Sequence, residues 1–180
     1  MSFANDTEVA LQGAAALINT VDGDTEVLAD IETLDEFVQF WGWTGDRAGD
    51  ARELRTVRSL RPRLRQFWYA DENGVADLAN ELLREAKALP QLVRHDGWDY
   101  HLHATPPNAP LATRMSVEAA MAMVDVVRMH EVSRLRICDY PDCNNVLVDL
   151  SKNRSKRFCD DGCGNRAAVA AYRARQAAKT

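Results

Sequence analysis

Four cysteines, Cys138, Cys143, Cys159 and Cys163, fall within 26 residues of a chain that contains no others. Their spacing is Cys138-x4-Cys143-x15-Cys159-x3-Cys163, two close pairs held apart by about a hairpin's length. In a reducing compartment such a cluster reads as a metal site and not as two disulfides. Four thiolates close a tetrahedral shell around Zn²⁺ and leave no position for water or substrate, so the ion is structural. One zinc per chain, bound by all four sulfurs, is the expectation.

The residues between the cysteines must bring the pairs together. Residues 139–142 form a short loop that can wrap Cys138 and Cys143 around one ion. Residues 146–148 read as a strand, 151–155 as a turn and 156–158 as the returning strand. Cys159 and Cys163 then stand at the start of a terminal helix running from Gly162 or Gly164 to about Ala178. A knuckle, a hairpin and a helix supplying the last ligands follow the treble-clef plan.

Charge divides the chain at the same place. Residues 1–133 carry 12 basic and 22 acidic side chains, whereas residues 134–180 carry 10 basic and 5 acidic. A basic segment on an acidic chain of net charge −5 invites an anionic partner. Arg154, Lys156 and Arg157 crowd the hairpin, while Arg166 and Arg173, seven residues apart, share one face of the terminal helix. These five are the expected nucleic-acid contacts, DNA being the expected polymer. The competing reading is that they balance the zinc thiolates, with Arg166 paired to Asp149 or Asp160.

Cys163-Gly164-Asn165-Arg166 resembles the signature of the CGNR zinc-finger family, and Phe158-Cys159 and Asp149-Leu150-Ser151 fit the same pattern. The first two thirds are similar to the ABATE domain, notably Asn19-Thr20 after an apolar helix and the segment from Leu34 to Trp41. This resemblance implies a stress-related transcriptional regulator. Phe158 stands where that family often has tryptophan, and Ala168 where a lysine often follows the signature.

The segment before the finger reads as mostly helical. Val9, Gly13, Ala14, Leu17, Ile18 and Val21 repeat with helical spacing, and so do Val75, Leu78, Leu82, Ala86 and Leu89 after an Asn73-Gly74 turn. Thr33 with Glu36 suggests a capping box, Pro62 a kink or break, and Ser116 the cap of a long helix reaching toward Leu135. Between Leu92 and His103 the pattern alternates around Asp96-Gly97, as in a hairpin. The expected fold class is α+β: helices around a small antiparallel sheet over residues 1–134, then a treble-clef-like four-cysteine zinc finger over residues 135–180.

Two further groups bear on function. Asp99, His101 and His103 leave one face of a strand and could hold zinc or iron. No fourth ligand is identifiable, so we expect a solvated face opposite a buried one of Trp98, Tyr100 and Leu102, without metal. Trp41, Trp43, Trp68 and Trp98 stand at helical or strand spacing and read as core more than as the walls of a ligand pocket. No phosphate loop, nucleophile elbow or acid–base pair is present, so no enzyme is expected. The function expected is a zinc-binding regulator whose finger meets nucleic acid and whose acidic domain senses a small molecule or forms homo-oligomers. The alternative is a protein–protein adaptor with a purely structural zinc. No apolar run is long enough to span a bilayer, and Arg47 is the first basic residue, unlike a secretory signal. A cytoplasmic protein without membrane contact is expected.

Overall fold

The computed structural model describes residues 3–23, 25–94, 99–160 and 162–178. Helix α1 (Asn5–Ile18) leads through a minimal ladder, β1 (Val21–Asp22) with β2 (Thr25–Glu26), into α2 (Ile31–Trp41). Helix α3 (Ala51–Arg65) continues as a 3-10 turn to Trp68, and α4 (Glu72–Glu85) precedes the ladder of β3 (Gln91–Val93) with β4 (His101–His103). Helix α5 (Leu111–Arg128) is followed by β5 (Leu135–Ile137), β6 (Val146–Val148) and α6 (Cys163–Ala177). The fold is thus α+β, helical with small antiparallel ladders, as the patterning implies. No described helix is long and apolar enough to cross a membrane.

Helix α5 is the axis of the core, with α1, α3 and α4 packed around it. Leu111, Met115, Ala119, Ala122, Met123 and Val126 are buried along it. Several helix ends differ from the expectation, each for a local reason. Asp30, not Thr33, caps α2: its carboxylate accepts from Thr33 N (2.9 Å) while Thr33 Oγ1 accepts from Asp30 N (3.1 Å). Asp71 caps α4 by accepting from Gly74 N, which draws Asn73 and Gly74 into the helix's first turn. Helix α5 begins at Leu111 behind Pro110, whose fixed φ suits that position. Ser116 lies inside it, its hydroxyl donating to the Thr113 carbonyl, and Leu135 belongs to β5. Pro62 does not break α3. The carbonyl its missing N–H would have bonded, that of Arg58, accepts from Arg61 Nε at 3.2 Å instead.

The finger hairpin also departs from expectation. β6 pairs antiparallel with β5, in the register Leu135↔Val148, Arg136↔Leu147 and Ile137↔Val146. Residues 156–158 form no strand; Arg157 O accepts from Asp139 N and Lys156 N donates to Asp149 Oδ2. Alternation along β6 serves two interiors at once. Val146 and Val148 enter the helical core, and Leu147 packs against the cysteines. Three side chains from the helices fasten this strand. Asn19 donates to Val146 O and accepts from Val146 N, Trp68 Nε1 donates to Leu147 O (2.8 Å), and Arg65 donates to Asn144 O.

Candidate metal centre

The loop after β5 turns at Tyr140, whose carbonyl accepts from Cys143 N, with Asp142 in the left-handed region at φ 63°. That turn points Cys138 and Cys143 to one side. Cys159 and Cys163 approach from the other, Cys163 in the first turn of α6 after Gly162 at φ 75°. All four sulfurs lie within 4.8 Å of one another, and Cys138, Cys159 and Cys163 are buried. Zinc–sulfur bonds of about 2.3 Å place tetrahedral sulfurs about 3.8 Å apart. The separations Cys143–Cys159 (3.8 Å) and Cys159–Cys163 (3.5 Å) fit that tetrahedron. The four thiolates therefore form the site of one structural zinc.

Donors surround the sulfurs. Cys159 N donates to Cys138 Sγ (3.3 Å), Asn145 Nδ2 to Cys159 Sγ (3.7 Å) and Arg166 Nη2 to Cys163 Sγ (2.8 Å). Such bonds orient the ligands and offset the −2 charge of a zinc centre with four thiolates. The Arg166 guanidinium also lies 4.9 Å over the Tyr140 ring. Burial alone would raise the Cys163 thiol, but the Arg166 donor and the neighbouring thiols bring it below the ordinary value. Cys143 goes the other way, burial pushing its thiol up.

Asp149 is the pivot between hairpin and loop. Its fully buried carboxylate accepts from the Ser151 amide and hydroxyl, the Lys156 amide and Arg136. Burial opposes ionisation, yet these donors hold the carboxyl below the usual range. Arg166 is therefore paired with neither Asp149 nor Asp160.

Most of the expected nucleic-acid contacts have partners within the chain. Arg154 bonds Glu131 (2.8 Å), Lys156 bonds Asp160 (3.0 Å) and Arg157 bonds Asp139 (2.8 Å). Arg173 and Arg175 are exposed on α6, and neither they nor Lys152 of the turn after β6 makes an ion pair among the described residues. Val169 and Tyr172 of α6 are about half exposed (49% and 56%).

The N-terminal hairpin is turned over relative to the expectation. Tyr100 and Leu102 face solvent, whereas His101 and His103 face inward across a cavity, their Nε2 atoms 2.9 Å apart. Opposite them stand Trp41 and Trp43 with Glu118 of α5, so two of the tryptophans do line a cavity. Trp68 is core, and Trp98 with the turn at residues 95–97 lies outside the described residues. Among the described residues, only the four cysteines bring three or more metal-ligating side chains together. Sequence reasoning missed Tyr140, Asn145 and Glu118. In the sequence, Glu118 reads only as an interruption of an apolar run.

A helical domain bearing a four-cysteine centre of this geometry defines a zinc-finger protein. Residues 134–176 match the CGNR zinc finger, and residues 13–130 match ABATE, a family described as "Putative stress-induced transcription regulator". The chain belongs to the ABATE family and carries the CGNR finger after it. A search of curated proteins finds no match.

Proposed function

We propose that this protein is a non-catalytic transcription regulator that meets nucleic acid through α6, with the helical domain as its sensing or oligomerising part. The observation that carries the reading is the bareness of α6. Beyond Cys163, every described residue of that helix is exposed or half-buried, and it bears Arg166, Arg173 and Arg175 without a single acid. A 15-residue helix is marginal alone in water. Here the zinc centre anchors its first turn while its basic side chains remain presented to solvent. Arg173 is the contact least committed elsewhere. Arg166 contributes mainly by holding Cys163, and the hairpin cations would exchange carboxylate partners for phosphates.

The test is selection from a random DNA pool with full-length, zinc-loaded protein, followed by salt titration. Arg173→Ala should weaken binding to all sequences and lower the salt slope by about 1, with a smaller effect for Arg175→Ala. Absence of binding to DNA and RNA at low salt would end this reading. Val169 and Tyr172 support the alternative, an adaptor docking a protein on the apolar side of α6. Tyr172→Ala would then abolish partner capture while leaving zinc bound.

A further inference from the structure

The cavity beside the N-terminal hairpin is built from distant parts of the chain. At the end of α2, Gly42 takes a left-handed φ of 69°, and the indoles on either side of it, Trp41 and Trp43, fold back on α1. They meet α1 at Gly13, where an added Cβ would lie 3.3 Å from Trp43 and 3.4 Å from Trp41, so the missing side chain makes room for both rings. Helix α5 supplies Glu118 and β4 supplies the histidines. The cavity is partly open to solvent, with a volume of about 210 Å³.

The charges of the lining are unevenly satisfied. Asp6 accepts from Thr7 N, and Asp125 accepts from the Thr7 hydroxyl with Arg128 3.8 Å away. Glu118 Oε2 accepts from Trp43 Nε1 at 2.5 Å, while Oε1 has no hydrogen bond among the described residues. Arg114 lies near enough to act on Glu118 electrostatically, but its hydrogen bonds go to the Pro107 and Ala109 carbonyls. The histidines meet through their Nε2 atoms, so at least one of those two nitrogens is unprotonated. Among the described residues, Glu118 is thus a carboxylate without a cation in direct contact, in a cavity walled by two indoles.

We propose that this cavity binds a primary ammonium on a compact apolar body, with Glu118 as its counter-ion and the faces of Trp41 and Trp43 as its walls. Indole faces attract cations, and most strongly where water is excluded. An anion would meet three carboxylates, Asp6, Glu118 and Asp125, against one lining arginine, Arg128, and the imidazoles of His101 and His103. A neutral ligand would strip water from Glu118 without replacing it. Size sets the body: a cavity of about 150 Å³ accepts benzene, so this one suits about eight or nine non-hydrogen atoms. Burial pushes the Glu118 carboxyl up to about 7, against the lowering effects of the Trp43 N–H, Arg114 and His101. An arriving ammonium favours the ionised form, so binding near neutrality releases a proton. The inference deepens the sensing role proposed above, yet amine binding is measured without nucleic acid, so either can fail alone.

Full-length, zinc-loaded protein is titrated with phenethylamine, 2-phenylethanol and phenylacetate, three probes of similar shape and different charge. Tryptophan fluorescence reports binding, and calorimetry in buffers of different ionisation enthalpy counts protons. Phenethylamine should bind at least tenfold tighter than either analogue and release protons at neutral pH. Glu118→Gln, which keeps an acceptor for Trp43, should weaken the amine at least tenfold without weakening 2-phenylethanol, its melting curve confirming the fold. Equal binding of the three probes, a preference for phenylacetate, or undiminished amine binding by the variant overturns the proposal. So does a failure to saturate by about 10 mM amine, weaker than any useful recognition.

Discussion

Replacing Asn19 with alanine tests how the finger is joined to the helices. The Asn19 side chain stands at the C-terminus of α1 and behaves as a one-residue strand beside β6. Its Nδ2 donates to Val146 O at 2.8 Å and its Oδ1 accepts from Val146 N at 2.9 Å. Val146 is 1% exposed, so water cannot take over either bond without opening the junction. Orphaning a buried backbone group costs about 1–3 kcal/mol, and two are orphaned on one residue, so a loss of about 2–4 kcal/mol is expected. At about 2–4 °C per kcal/mol for a chain of this size, melting should fall by roughly 5–15 °C. Urea unfolding of zinc-loaded protein, followed by tryptophan fluorescence, measures it directly. Zinc affinity should fall too, because the hairpin that Asn19 holds carries Cys138 and Cys143, and metal binding is coupled to folding. Asn19→Asp should recover little, since it keeps the acceptor but sets a carboxylate against the Val146 carbonyl. A change within about 0.5 kcal/mol for Asn19→Ala, the range of ordinary surface substitutions, would refute the reasoning.

Three further outcomes are expected. Glu118→Gln should change the pH dependence of stability. The Glu118 carboxyl rises from 4.5 unfolded to about 7 folded, so the wild type loses stability as pH climbs through that window. The variant should not, and should gain on the order of 3 kcal/mol above it, so parallel curves for the two proteins would count against the burial argument. Arg166→Ala removes the donor 2.8 Å from Cys163 Sγ and should weaken zinc retention about tenfold in chelator competition, with Arg166→Lys only partly restoring it. Chelating the zinc should disturb the environment of Trp68, whose Nε1 bonds Leu147 O, and lower the melting temperature of the helices; an unmoved tryptophan signal would contradict this.

What could be read from the sequence was what is local. The cysteine spacing announced the metal because a short turn and a helix start nearly determine where four sulfurs go. The face of α4 was visible because Val75, Leu78 and Leu82 repeat at the helical period, although the helix ends at Glu85 and leaves Leu89 exposed beyond it. Pairing was not visible: residues 156–158 read as the returning strand, whereas β6 pairs with residues 135–137, whose first residue, Leu135, read as the far end of a helix. Hydrogen bonds from Asp149 to Lys156 and Ser151 tie down residues 156–158 without a ladder. The orientation of β4 was hidden for a similar reason. Alternation separates His101 and His103 from Tyr100 and Leu102, but only Trp43 and Glu118, from other parts of the chain, decide which set turns inward. Net charge likewise could not show that Arg154, Lys156 and Arg157 each have a carboxylate within 3.0 Å.

Helix α1 links the two sites. Thr7 and Gly13 border the cavity, and Asn19, one residue past the last turn, holds β6 of the finger. The family matches divide the chain between residues 130 and 134, yet Leu135, Val146 and Val148 lie in the same core as Leu11, Leu17 and Ile18. A shift of α1 on filling the cavity would therefore be felt at the strand that positions Cys143 and Leu147. Adjacency alone is not coupling; the measurable quantity is a change in one affinity when the other site is filled. Linkage requires that an amine which tightens zinc binding be itself bound more tightly by the zinc-loaded protein, by the same factor. Measuring phenethylamine affinity with and without zinc, and zinc affinity with and without the amine, gives two independent values of that factor. Coupling carried by α1 should shrink in Asn19→Ala, which leaves both sites' own residues in place. A factor of 1 in the wild type would mean that α1 supports the two sites without connecting them.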